Sequence, residues 1–122
     1  MEVKGIVIPT SLDYKPYIAV IKDYRTYYAI IECRAFDIIK LHEDNNKSVD
    51  LVIDDEGKLD EQLVNEYFLR AYKSGKTNVE LCGKVVVVIT DTDTGEDTDL
   101  DVDLAKQALR KIGFTDCDFS NL

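Results

Sequence analysis

Lys84-Val85-Val86-Val87-Val88-Ile89-Thr90 is an unbroken β-branched run without alternation. A strand that is apolar on both faces is covered on both, so this run predicts the central strand of a sheet. The rest of the chain is placed around it. Val3-Lys4-Gly5-Ile6-Val7-Ile8 is a second β-branched segment, stopped at Pro9, which has no N–H for a ladder. Loop residues Thr10, Ser11, Asp13 and Pro16 lead to a further strand, Tyr17-Ile18-Ala19-Val20-Ile21. Residues 36–41 (FDIIKL) and 49–53 (VDLVI) flank the polar turn His42-Glu43-Asp44-Asn45-Asn46. They predict an antiparallel hairpin with a loop longer than two residues.

Between these strands the apolar period changes. Tyr24, Tyr27, Tyr28 and Ile31 fall on one face of a helix, with Asp23 placed as its cap. Leu63, Val64, Tyr67, Phe68, Ala71 and Tyr72 form the broad stripe of a second helix. Asp60 and Glu61 stand at its start and Arg70 and Lys73 at its end, as the helix dipole favours, with Gly75 beyond. A last helix is expected over residues 102 to 112, with Leu104, Ala105, Ala108, Leu109 and Ile112 inward and Gly113 as its stop. The order is β-β-α-β-β-α-β-α. It predicts an α+β fold, a single mostly antiparallel sheet with helices packed on it, in one compact domain over residues 1–122. Residues 114–122 read as a tail.

Of the 122 residues, 45% are hydrophobic and 32% charged, which is enough apolar material for a packed core. Fifteen Lys and Arg stand against 24 Asp and Glu, a formal charge of −9. That balance opposes direct binding of nucleic acid through its phosphates and docking on an anionic membrane. No apolar run approaches the roughly 20 residues of a membrane span. The start, Met1-Glu2-Val3-Lys4 and a short apolar run ending at Pro9, lacks the features of a secretory signal. Cys33, Cys82 and Cys117 are far apart, with no Cys-x-x-Cys pair. They are expected as reduced thiols packing as small apolar residues in a cytoplasmic protein, with no zinc site.

Catalysis is not expected, nor a metal or cofactor. The single histidine, His42, lies in a turn beside Glu43 and Asp44, where it reads as a solvent-exposed surface residue. None of the glycine-rich phosphate-binding loops or the His-Glu-x-x-His zinc motif occurs. The feature that stands out is residues 91–103: Asp91, Asp93, Glu96, Asp97, Asp99, Asp101 and Asp103, seven acids in 13 residues without a base. Seven of the nine excess negative charges sit here. Self-repulsion makes such density a poor stabilising device.

Three readings of that segment stand side by side. One is a solvated hairpin turn followed by a helix N-terminus, with Asp101 and Asp103 serving free N–H groups and the dipole. A second is a calcium loop, since Asp91-x-Asp93-x-Gly95 opens like an EF-hand; Glu96 replaces the usual glycine, however, and Val102 the bidentate Glu. A third is imitation of nucleic acid. Asp97, Asp99, Asp101 and Asp103 alternate, and an extended backbone would set them about 6 to 7 Å apart on one face. A groove built for phosphates would accept such a row. Tyr14, Tyr17, Tyr24, Tyr27 and Tyr28, five of the seven tyrosines, are read as core packing or as an aromatic patch for a protein partner. Stacking on nucleic acid is disfavoured for want of a basic groove beside the rings.

Val52-Ile53-Asp54-Asp55-Glu56-Gly57-Lys58-Leu59, then Asn65, then Gly83-Lys84-Val85-Val86-Val87-Val88 form a recognisable series. Over residues 3 to 105 the chain resembles a family of small, uncharacterised domains encoded by phages and mobile elements. The longer loop over residues 72–82 and the acidic segment after Thr90 are its departures from that pattern. The resemblance implies the cytoplasm of a bacterial host and brings no activity with it. The expected function is that of a small acidic, non-catalytic binding protein, a phage or mobile-element inhibitor of a host nucleic-acid-binding defence enzyme such as a CRISPR effector or restriction enzyme. Asp91, Asp93, Glu96, Asp97, Asp99, Asp101 and Asp103, with Tyr24, Tyr27 and Tyr28, would occupy the partner's basic groove. The alternative is a small-molecule or nucleotide-binding accessory domain, with a tyrosine-lined pocket between sheet and helices.

Overall fold

Consecutive apolar side chains on a strand point alternately to opposite faces, so the valine run needs packing partners above and below. A computed structural model, which describes residues 2–57, 62–78 and 80–122, supplies both. In chain order its elements are strands β1 (Val3–Ile8) and β2 (Tyr17–Ile21), helix α1 (Tyr24–Ile31), and strands β3 (Phe36–Asp44) and β4 (Lys47–Asp54). Helix α2 (Glu66–Lys73), strands β5 (Val85–Asp91) and β6 (Asp97–Thr98), helix α3 (Val102–Lys111) and a 3-10 turn (Asp116–Phe119) follow. The strands form one antiparallel sheet in the order β2-β1-β5-β4-β3. Strand β6 adds to β5 past the last β1–β5 pair, Ile6 with Val87.

Val85, Val87 and Ile89 face α2 and α3, where Phe68, Ala71, Ala105, Ala108 and Leu109 cover them. Val86 and Val88 face the other way, beneath Tyr27 and Ile31 of α1. The expected α+β class and central valine strand are observed, with helices on both faces. Each fully buried valine contributes about 1.5 to 3 kcal/mol through removal of apolar area from water. Gly5 lets β1 lie close to β5, because a Cβ there would sit 3.0 Å from Val86 Cγ1 and 3.1 Å from the Val87 carbonyl.

One buried side chain fastens three elements. Asn65 accepts from the Tyr67 and Phe68 N–H groups (3.1 and 3.3 Å), capping α2, and its amide donates to the carbonyls of Pro9 (3.2 Å) and Gly83 (3.0 Å). This explains where the second helix begins. The apolar spacing places its start before Leu63, but Leu63 and Val64 are exposed, and Val64 forms a bridge with Cys82 in extended chain. Asp60 and Glu61, expected at that start, lie outside the described residues, as do Lys58 and Leu59 of the family series.

Other expectations are corrected. The β3–β4 turn has two residues, Asn45 and Asn46, with Asn45 in the left-handed region (φ 55°). His42, Glu43 and Asp44 therefore belong to β3, beyond an irregularity between Lys40 and His42. Strand β6 is an addition to the expected order. Residues 114–122 are no loose tail: Phe114 and Phe119 are buried, and Phe114 stacks on Tyr67 with centroids 5.4 Å apart. Asp118 is buried beside Arg70 (2.5 Å). Cys117 is exposed where a packed thiol was expected; Cys33 and Cys82 are half-buried, and none of the three is in a disulfide. Among the described residues no helix is long and apolar enough to cross a membrane.

Candidate functional site

The acidic segment begins where β5 leaves the sheet, and its first turn is held by backbone hydrogen bonds. The Asp91 N–H donates to the Glu96 carbonyl (2.9 Å) and the Gly95 N–H to the Asp91 carbonyl (2.8 Å). Gly95 takes φ 73°, which a side chain would strain. The Asp91 carboxylate accepts the Asp93 N–H (2.8 Å), so this acid builds the turn. The Thr92 N–H donates to the Asn46 carbonyl (3.0 Å), which joins the β5–β6 turn to the β3–β4 turn. Glu43 and Asp44 thus stand at the same end of the sheet as the acidic segment.

Further along, the carboxylates divide into two kinds. Asp97 is half-buried and accepts from the Tyr27 hydroxyl and, at 3.5 Å, from the Thr90 hydroxyl. Asp101 caps α3 by accepting the Leu104 N–H (3.1 Å) and pairs with Lys47 (3.3 Å). The Leu104 N–H first, then Lys47, hold the Asp101 carboxyl below the ordinary range. Asp93, Glu96, Asp99 and Asp103 are exposed, and of the seven acids only Asp101 has a basic partner among the described residues. The expected regular row from Asp97 to Asp103 does not form. Residues 97–98 are strand and Asp101 is still extended, but residues from 102 onward are helix, so Asp103 leaves the alternation of an extended chain.

The tyrosines also divide. Tyr27 is buried and its hydroxyl donates to Asp97. Burial first, then the Asp97 bond and the charges of Asp97 and Asp50, push that hydroxyl far above the ordinary phenol range. Tyr28 is half-buried against Phe36, with centroids 5.1 Å apart. Tyr24 is 58% exposed, meets Tyr28 edge-on and has the Arg25 guanidinium 5.7 Å from its ring. The Tyr27–Asp97 bond therefore brings the tyrosine helix and the acidic segment together. Between them lies an open cleft of about 320 Å³, lined in part by Asp23, Tyr24, Tyr27, Glu96 and Asp97.

Two polar residues near this cleft were missed from the sequence. Ser48 and Asp50 are buried on β4, and the Ser48 hydroxyl donates to Asp50 (2.5 Å). The available signal was an acid inside a β-branched run, Val49-Asp50-Leu51-Val52. His42 is half-buried on β3, its Nδ1 3.4 Å from the Lys111 ammonium, and not in a solvated turn. Among the described residues no group of three or more His, Cys, Asp or Glu side chains is arranged to hold a metal ion.

The family model that matches this chain, described as a domain of unknown function (DUF3846), covers residues 3–113, and the chain belongs to that family. No curated protein and no solved structure matches it.

Proposed function

We propose that this member of the DUF3846 family works by binding, not catalysis, and that its acidic end takes up basic side chains of a protein partner. The observation that carries this reading is the Tyr27–Asp97 hydrogen bond, because it sets an aromatic helix and an acidic turn on one cleft. An arginine or lysine entering there meets the Asp23, Glu96 and Asp97 carboxylates, which outnumber Lys22 on the same cleft. It also meets the exposed ring of Tyr24, which Arg25 already approaches from its own helix. Exposed Asp93, Glu96, Asp99 and Asp103 add a field that speeds encounter with a basic surface and weakens with salt.

The partner class that fits this field is a protein whose basic groove holds nucleic acid. In its narrowest form the chain is an inhibitor, carried by a phage or mobile element into a bacterial cytoplasm, of a defence enzyme such as a CRISPR effector or restriction enzyme. Local charge density and the resemblance of the family series support that form; a ruler-like row of phosphate mimics does not. The alternative pocket between sheet and helices loses ground, since apolar side chains fill both faces of the sheet.

The test uses four exposed positions whose carboxylates accept no hydrogen bond and form no ion pair among the described residues: Asp93→Asn, Glu96→Gln, Asp99→Asn and Asp103→Asn in one variant. Proteins captured from a bacterial lysate are compared for wild type and variant at low and high salt. Wild type should retain nucleic-acid-binding proteins at low salt and release them on addition of salt or double-stranded DNA, and the variant should not retain them. Equal retention by the variant refutes the reading.

A further inference from the structure

The opposite end of β5 carries the reverse chemistry. Lys84 stands directly before β5 and Lys15 in the loop between β1 and β2. Both are half-buried, and neither forms an ion pair among the described residues. The charge of Lys15 acts on Asp118, which is already held by Arg70 (2.5 Å) and the Thr115 N–H (2.8 Å). Two half-buried ammonium groups that form no ion pair among the described residues have donors to offer a bound anion.

These two lysines share an open cleft of about 500 Å³ with Tyr14, Tyr17 and Asn121. Its volume lies within the range of small-ligand sites. Tyr14 is 70% and Tyr17 41% exposed, so both offer ring surface. The walls are fastened from behind. The Tyr67 hydroxyl donates to the Tyr14 carbonyl (2.6 Å), the Glu66 N–H to the Thr10 carbonyl (2.8 Å), and the Asn65 amide to the Pro9 carbonyl (3.2 Å). No basic groove beside the tyrosines was expected from the sequence, yet two lysines share a cleft with Tyr14 and Tyr17.

We infer that this cleft binds a small anion carrying an aromatic ring, of the nucleoside monophosphate class, with the phosphate at Lys15 and Lys84 and the base against Tyr14 or Tyr17. Stacking and charge-assisted bonding are the two interactions such a ligand needs, and the cleft offers both. A nucleic acid polymer is disfavoured. Strand β5 spans roughly 20 Å between this cleft and the acidic turn, about two Debye lengths in cell-like salt. A mononucleotide is governed by the local lysines, whereas a longer strand extends into the field of a chain with charge −9.

Isothermal titration calorimetry of the whole chain tests this with AMP, GMP, CMP and UMP, alongside adenosine, inorganic phosphate and a single-stranded oligonucleotide. At least one monophosphate should saturate at one per chain, about tenfold tighter than nucleoside or phosphate alone. Lys15→Met and Lys84→Met should each weaken it about tenfold, and Tyr14→Ala, at an exposed ring that the fold does not need, about fivefold. Absence of saturation by all four monophosphates overturns the inference. So does binding indifferent to these substitutions, or phosphate or the oligonucleotide binding as tightly as the monophosphate.

Discussion

The two ends of β5 carry opposite charge and are built on opposite principles. At the acidic end the charges come from one contiguous segment; Asp91, Asp97 and Asp101 form the turn, the Tyr27 contact and the cap of α3, while Asp93, Glu96, Asp99 and Asp103 project into water. At the lysine end, Lys15 and Lys84 come from distant parts of the chain and are half-buried beside rings, on walls held by Asn65. A dense charged segment thus spends part of its charge on folding itself. A sparse pair, placed by packing, forms no ion pair among the described residues, and only Lys15 acts, through its charge, on a structural acid, Asp118.

The largest effect on this contrast should come from Asn65→Ala. It removes the cap of α2 and leaves the Pro9 and Gly83 carbonyls without their buried donor, a loss of about 3 kcal/mol in denaturant unfolding. Amide exchange should quicken around Thr10 and Lys84 and stay unchanged at residues 91–97. A loss below about 1 kcal/mol, or equal loosening at both ends, would mean that the walls of the cleft stand without Asn65.

Next in size is Asp118→Asn, at about 2 kcal/mol near neutral pH, because Arg70 and the Thr115 N–H lose a charged acceptor. Burial alone would raise the Asp118 carboxyl, but the Arg70 and Thr115 bonds, with the charges of Arg70 and Lys15, hold it below the usual range. A carboxyl lowered in the folded state adds stability above its unfolded pKa of about 4 and loses it as pH falls further. Wild type should therefore lose stability below about pH 4 more steeply than Asp118→Asn. Parallel urea midpoints for the two from pH 6 to pH 2 would contradict this.

At the acidic end the corresponding structural bond is smaller. Tyr27→Phe should cost about 1 kcal/mol by removing the Tyr27 hydroxyl bond to Asp97, which keeps only the longer Thr90 contact. A phenol raised in the folded state keeps its contribution below pH of about 10 and loses it as pH rises beyond that value. Wild type should weaken above this pH, and Tyr27→Phe should lack that part of the decline. Identical alkaline unfolding curves would show that Tyr27 is not the group responsible.

Much of this was legible because it is local. The run Val85-Val86-Val87-Val88-Ile89 needs cover on two faces wherever it lies, and Asp23, Asp101 and Gly113 act on residues within a turn of themselves. Leu63 and Val64 misled because they continue a helical stripe that the Asn65 cap, set by Pro9 and Gly83, cuts off. His42 and Asp44 misled because polar turn-forming residues also suit an exposed edge strand. Lys15 and Lys84 gave no signal. Only the pairing of β1 with β5 brings the loop after Pro9 to the residue before Val85.

The smallest effect on stability, and the one that separates the two ends most sharply, is expected for the combined Asp93→Asn, Glu96→Gln, Asp99→Asn and Asp103→Asn variant. Substitutions at exposed positions usually stay within about 0.5 kcal/mol. Here the formal charge changes from −9 to −5, which removes repulsion among neighbours. The Asp103 substitution opposes this slightly, since that acid sits in the first turn of α3, where the dipole favours negative charge. The net result should be a melting temperature equal to or slightly above wild type at low salt, converging with it as salt rises. Lys84→Met should also leave the fold near wild type, so neither end is maintained by these charges for stability. A loss of more than about 1 kcal/mol in the fourfold variant would place those acids in the architecture of the turn and remove the reason to assign them to a partner.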